Sequence, residues 1–207
     1  MVAKHKRSPL ALAVLALLAA QPLHPYGVLA LIKQWGKDQV INVTQRATLY
    51  KTFNRLTDAG LIAVQQTERD QQYPERTVYK LTEDGREVML EWLAEVLVGG
   101  HNEFPEFPVG LSFIMLLTPE DTLPLLNERA KHLSGRLEQL EADLAEALSP
   151  GPDQVPAVSL LEGDYLRAMV AAELSWVEKL VADIENGRMR WGVEELRAFA
   201  ETHPPEI

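Results

Sequence analysis

Between Val43 and Ile62 the chain reads VTQRATLYKTFNRLTDAGLI, and its apolar positions Leu49, Phe53 and Leu56 recur at i, i+4 and i+7. That spacing is the buried stripe of an amphipathic helix. Thr44 stands where a hydroxyl can cap the first turn, and Gly60 where a helix takes a left-handed stop, so the pattern predicts a helix over 44–59. At about 100° per residue, Thr44, Ala47, Lys51, Asn54 and Arg55 share the opposite face, with Thr48 and Tyr50 at its margins. Arg46 lies nearer the stripe but can project off the helix end. The outer face thus offers basic, hydroxyl and amide groups and one acid, Asp58, at its far end. Such a face suits phosphates and base edges.

Upstream, Lys4, Lys6 and Arg7 precede an apolar run from Leu10 to Ala20, and Leu18-Ala19-Ala20-Gln21 resembles a small-residue cleavage site. This is the outline of a secretory signal, although the run falls short of the roughly 20 residues a spanning helix needs. The same residues also read as two buried helices, 9–20 and 26–35, with Ser8 as cap and Pro9 at the first position. Three helices in about 50 residues, the last with a polar outer face, make a helix-turn-helix core. Downstream, 61–66 and 77–81 read as paired strands around a polar tip that carries Arg69, Pro74 and Arg76. After a helix of this kind the hairpin reads as a wing; the alternative is a plain solvated hairpin. Thr82 then caps a helix over 83–98, and Gly99-Gly100 with Pro105 and Pro108 marks a boundary. The expected domains are 1–98 and 99–207.

The second part reads as helical. Val109–Leu117 is a short apolar segment, and Thr118-Pro119-Glu120-Asp121 starts a long helix that runs to about Leu148. Another is expected over 157–186, with Gly187 as its stop. Its apolar ladder holds Leu161, Tyr165, Met169, Ala172, Trp176, Leu180 and Ile184. Two helices with apolar residues spread this widely are expected to need cover from a second chain.

Composition alters this picture in one respect. A net charge of −10 over 207 residues argues against a polyanion partner, until its division is seen. Residues 1–82 carry eleven Lys/Arg against five Asp/Glu, and the remainder nine against twenty-five. A basic first part joined to an acidic second part points the first toward nucleic acid. There are no cysteines, which excludes disulfides and thiolate metal sites and suits a reducing cytoplasm.

Catalytic signatures are missing. The histidines His5, His24, His101, His132 and His203 lack metal-ligand spacing, and no phosphate loop, dinucleotide fingerprint or nucleophile elbow occurs. No enzyme activity, metal or cofactor is expected. Trp176, with Tyr165 and Met169 on the same helix face, is the candidate for a ligand; the competing role is that of an interface aromatic.

Several elements together resemble the PadR family of bacterial transcriptional regulators: His24-Pro25-Tyr26-Gly27, Leu49-Tyr50, the run Leu56–Ile62, and Tyr79-Lys80-Leu81-Thr82-Glu83-Asp84-Gly85-Arg86. The region Phe104–Thr118 and the helix from Pro119 look like the larger, two-helix type of C-terminal domain in that family. The resemblance spans roughly residues 8–186. It implies a mainly α chain with a small β wing, an N-terminal winged helix-turn-helix and a helical C-terminal dimerisation domain. It also implies a homodimer and repression relieved by a signal. By matching position Tyr50 and its helix neighbours would touch DNA, and Tyr26 a phosphate. Arg46 and Ala47 stand where relatives often carry proline or glycine, and residues 188–207 have no counterpart in the resemblance.

The expected DNA contacts are therefore Tyr26, Thr44, Arg46, Thr48, Tyr50, Lys51 and Arg55, with Arg69 and Arg76 on the wing. The expected partners are double-stranded DNA, a second copy of the chain and a small aromatic effector at Tyr165, Met169 and Trp176. No membrane is expected, and the location is the cytoplasm. The alternative is a helical dimeric interaction module without DNA binding.

Overall fold

Ser8 begins the first helix as the sequence suggests: its hydroxyl oxygen accepts the Ala11 N–H at 3.2 Å, and Pro9 fills the first position. The computed structural model describes residues 6–68, 76–99, 104–151 and 155–192, and a few positions among 195–202. Helix α1 (Pro9–Ala20) buries Leu10, Ala11, Val14, Leu15 and Leu18. The run that could pass for a secretory signal is thus the centre of a core, packed against the helices Arg46–Asp58 and Glu83–Val98 and the strand Arg76–Leu81. Among the described residues no helix is long and apolar enough to cross a membrane.

The chain continues through α2 (Pro25–Gln34), a 3-10 turn and α3 (Arg46–Asp58) to the antiparallel strands β1 (Ile62–Glu68) and β2 (Arg76–Leu81). A bulge interrupts the pairing between Val64 and Gln66. Leu23 and Tyr79 exchange both backbone bonds, at 3.0 and 2.9 Å, which ties the α1–α2 turn to β2. The Phe53 and Tyr79 rings meet at 5.0 Å and join α3 to the hairpin.

Two expectations at α3 divide. Its stop behaves as the sequence suggests. Gly60 has φ +72°, its N–H reaches the Thr57 carbonyl, and the Leu61 N–H reaches the Leu56 carbonyl at 3.0 Å. That is the six-to-one pairing of a glycine-ended helix. Its start differs. Thr44 does not cap the helix; its N–H (3.2 Å) and its hydroxyl (2.8 Å) both donate back to Asn42 Oδ1 in the turn ahead of it. The helix begins two residues later, with Gln45 as a cap that makes no side-chain bond.

Helix α4 (Glu83–Val98) follows β2 directly. The Thr82 hydroxyl accepts the Gly85 N–H at 3.0 Å and donates to the Gly60 carbonyl at 2.8 Å. The Thr82 N–H donates to the Leu61 carbonyl at 3.2 Å. Gly85 packs so closely there that a methyl group on its Cα would overlap the Leu61 carbonyl oxygen. The Tyr-x-Leu-Thr-x-x-Gly element is therefore a clasp between the end of α3 and the start of α4.

The chain divides into two compact units, Met1–His101 and Asn102–Ile207. In the second, α5 (Glu106–Ser112) and a 3-10 turn lead to α6 (Pro119–Leu148), capped by Thr118, whose oxygen accepts the Asp121 N–H at 3.1 Å. The next expected helix opens as a 3-10 turn, Ala157–Leu160, before α7 (Leu161–Glu185). Helices α6 and α7 share a core that contains Leu126, Leu133, Leu140, Val170, Val177, Leu180, Val181 and Ile184. The ladder expected to face a second chain is thus divided: Leu180 and Ile184 serve this internal core, while Leu161, Tyr165, Met169 and Trp176 stay exposed. At the end of α7, Lys179 and Arg188 hydrogen-bond to Asp183 and hold its carboxyl below the usual range.

Gly85→Ala should destabilise the first unit by about 3 kcal/mol, the scale of an overpacked site. Helix propensity alone would favour Ala by about 1 kcal/mol. Urea unfolding therefore separates the two by sign, and a stabilised Gly85→Ala chain would disprove the close approach.

Candidate nucleic-acid interface

One side of α3 is sealed. Leu49, Thr52, Phe53 and Leu56 are buried, and the Thr52 hydroxyl donates to the Thr48 carbonyl at 2.9 Å, so even its polar atom is spent inside the unit. The other side is open. Thr44 in the entry turn and Arg46, Ala47, Thr48, Tyr50, Lys51 and Asn54 on the helix are all exposed, Tyr50 by 53%. A helix with its side chains is about 10–12 Å across, which fits a major groove roughly 12 Å wide. The face therefore combines a guanidinium at the helix start, an ammonium one turn on, and hydroxyl and amide groups beside them. Arginine suits bidentate contact with a guanine edge, lysine a phosphate.

Arg55 stands differently from the expected phosphate contact. It is half-buried, and its guanidinium donates to the Lys6 carbonyl at 2.9 Å and to the Ser8 hydroxyl at 3.4 Å. Its position on the helix was legible in the periodicity. Its engagement was not, because the partners lie some fifty residues away in sequence.

Tyr26 lies in the first turn of α2 and is 61% exposed, with its ring 6.2 Å from that of His24. His24 itself is a site that sequence reasoning missed. Its Nδ1 accepts the Gly27 N–H at 2.7 Å, so the histidine caps α2, and Pro25 occupies the first helical position. A methyl group at Gly27 would press on that imidazole at 3.3 Å. The His-Pro-x-Gly order carried this signal. The cap fixes the N-terminal turn that presents Tyr26.

The hairpin follows α3 after Gly60 and Leu61. Arg76 begins β2 opposite Glu68, but its side chain is outside the described residues, as is the whole of Arg69.

In the second unit Tyr165, Met169 and Trp176 do share one exposed side of α7, with Trp176 47% exposed. Trp176 meets the Phe107 ring edge-on at 6.1 Å. The Arg129 guanidinium lies 3.5 Å above the same Phe107 ring and pairs with Glu173. Phe107 and Arg129 were not singled out in the sequence, since neither belongs to the α7 ladder. Beyond α7, the Trp191 indole N–H donates to the Leu117 carbonyl at 2.8 Å, so the start of the segment without a counterpart in the resemblance, up to Trp191, folds back onto its own unit. A cleft of about 600 Å³ lies there, between Leu117–Glu120 and Ile184–Gly192.

Residues 14–91 match the model of the Transcriptional regulator PadR-like family. Three solved structures share the fold over most of the chain. Bacillus subtilis PadR in complex with operator DNA is 22% identical with a TM-score of 0.68, over 86% of this chain and 99% of that one. The same protein in complex with p-coumaric acid is 21% identical with a TM-score of 0.66, over 85% and 98%. The Vibrio cholerae virulence activator AphA is 15% identical with a TM-score of 0.64, over 86% and 98%. No curated protein matches. The fold is a winged helix followed by a helical region, as the sequence suggested.

Proposed function

We propose, for a chain whose residues 14–91 match the PadR-like transcriptional regulators, that it is a sequence-specific DNA-binding repressor acting as a homodimer in the cytoplasm. The outer face of α3 carries the proposal: Arg46, Thr48, Tyr50, Lys51 and Asn54 are exposed on a helix whose other side is sealed. Arg46 and Thr48, near the helix start, are assigned to base edges. Lys51, Tyr26 and the Tyr50 hydroxyl are assigned to phosphates, with Thr44 beside them and Arg69 and Arg76 on the wing. A solved relative in complex with operator DNA supports this use of the fold. Repression is the simplest consequence of occupying a promoter; another relative is named an activator, so a reporter assay decides the direction.

The exposed strip Leu161, Tyr165, Met169 and Trp176 is assigned to the second copy. A small aromatic effector is placed at the same strip, near the Phe107–Trp176 pair, with support from the relative solved with p-coumaric acid.

A dimer with two α3 faces should select an inverted repeat with half-sites spaced by whole helical turns. Lys51→Ala should weaken binding to every duplex and flatten the salt dependence by roughly one unit of slope. Arg46→Ala should cost specificity at one base pair per half-site, on the order of 1–3 kcal/mol for a bidentate contact. Gel-shift titrations across a salt series, on a selected site and on random duplex, read both effects. If both variants bind like the parent, α3 is not the reader and the interaction-module alternative gains.

Replacing Met169 and Trp176 together by Glu should give a monomer of unchanged helix content in sedimentation and circular dichroism. Glu at Leu180 and Ile184 should instead unfold the second unit, because those side chains are buried in its own core. A stable dimer of the first variant would place the contact elsewhere.

A further inference from the structure

Three consecutive residues ahead of α1 are held by three separate groups. The Lys6 carbonyl accepts from Arg55 Nη1 at 2.9 Å. Arg7 Nη1 pairs with Glu95 Oε2 of α4 at 2.8 Å. The Ser8 hydroxyl accepts the Ala11 N–H and also lies 3.4 Å from Arg55 Nη2. None of these bonds uses the Lys6 ammonium, which is exposed and meets no partner among the described residues. A tethered backbone therefore presents a cation that is unpaired among the described residues.

Its location is set by Arg55. That residue follows Lys51 by one helical turn and Thr48 by two, on one flank of the open face of α3. The Lys6 backbone thus lies within one arginine side chain of that flank. A recognition helix seated in a groove is bordered by a phosphate strand on each flank, and phosphate contacts position a reader without carrying sequence. Holding the lysine backbone in advance lowers the ordering cost of such a contact.

We propose that Lys6 is a DNA-phosphate contact and that Arg55 is the residue that positions it, by clasping the Lys6 carbonyl and the Ser8 hydroxyl. This rests on the DNA-binding reading above. The recognition surface then extends beyond α3 to the segment ahead of α1, and the arginine on the recognition helix acts through its neighbour.

The test is a double-mutant cycle read as salt slopes, with the full chain and duplex DNA in gel shift. Lys6→Gln should lower affinity for selected and random duplex alike, by about five-fold at 0.15 M salt, and reduce the slope by about 0.9. Arg55→Gln should produce the same change, and the double variant no further one. Lys6→Gln with the parent's slope and affinity overturns the proposal. So does a double variant that loses two units of slope, because Arg55 would then be an independent contact. Should Arg55→Gln fail to fold, Lys6→Gln decides alone, since its side chain is exposed. Lys51→Ala separates the two levels: a slope lost there but kept in Lys6→Gln leaves DNA binding standing and removes this inference. A parent with no salt-dependent binding removes both.

Discussion

The Thr82 hydroxyl is the atom on which the first unit turns. It accepts the Gly85 N–H to start α4 and donates to the Gly60 carbonyl at the end of α3. The hairpin runs between those two points, so one oxygen fixes the helix before the wing and the helix after it. Gly85 completes the clasp by letting the α4 backbone approach the Leu61 carbonyl. Backbone polar groups turned inward at helix ends are costly unless paired, and here each end supplies the other's partner. Removing the clasp would leave α3 folded as a helix but would loosen the angle at which its open face is held. On the proposed reading, recognition of a groove depends on that angle.

The charge division follows from the same separation of tasks. The open face of α3 and the segment ahead of α1 draw on the basic first part, while the acidic remainder covers the α6–α7 pair. On the DNA-binding reading proposed above, an acidic second unit adds nothing to phosphate affinity and opposes non-specific adherence to DNA. The exposed apolar strip of α7 is large for a surface that meets only water, and its aromatic and methionine content matches protein contacts.

Much of this was legible in the sequence because it rests on local rules. Ser8 with Pro9, Thr118 with Pro119, Thr82 and Gly60 each announce a helix end through chemistry confined to a few residues. The sealed stripe of α3 follows from a period of 3.6. What escaped depends on distant partners or on local competition. Thr44 has the chemistry of a cap, yet it folds into a turn with Asn42 and the helix begins past it, at Arg46. Arg55 has the phase of an outer-face cation, yet Lys6 and Ser8 come to it from another part of the chain. Leu180 and Ile184 have the spacing of an interface, but spacing cannot say whether the covering helix is α6 or a second copy. Among the candidate contacts, the wing cations Arg69 and Arg76 are placed by pattern alone.

The most direct measurement is backbone amide mapping of the intact protein, free and on a duplex carrying its selected site. The expected result is that the largest shifts fall on 44–54, Tyr26 and Lys6, with smaller ones through the hairpin. Shifts confined to 104–192, with the amides of α3 unmoved, would contradict DNA reading by this face.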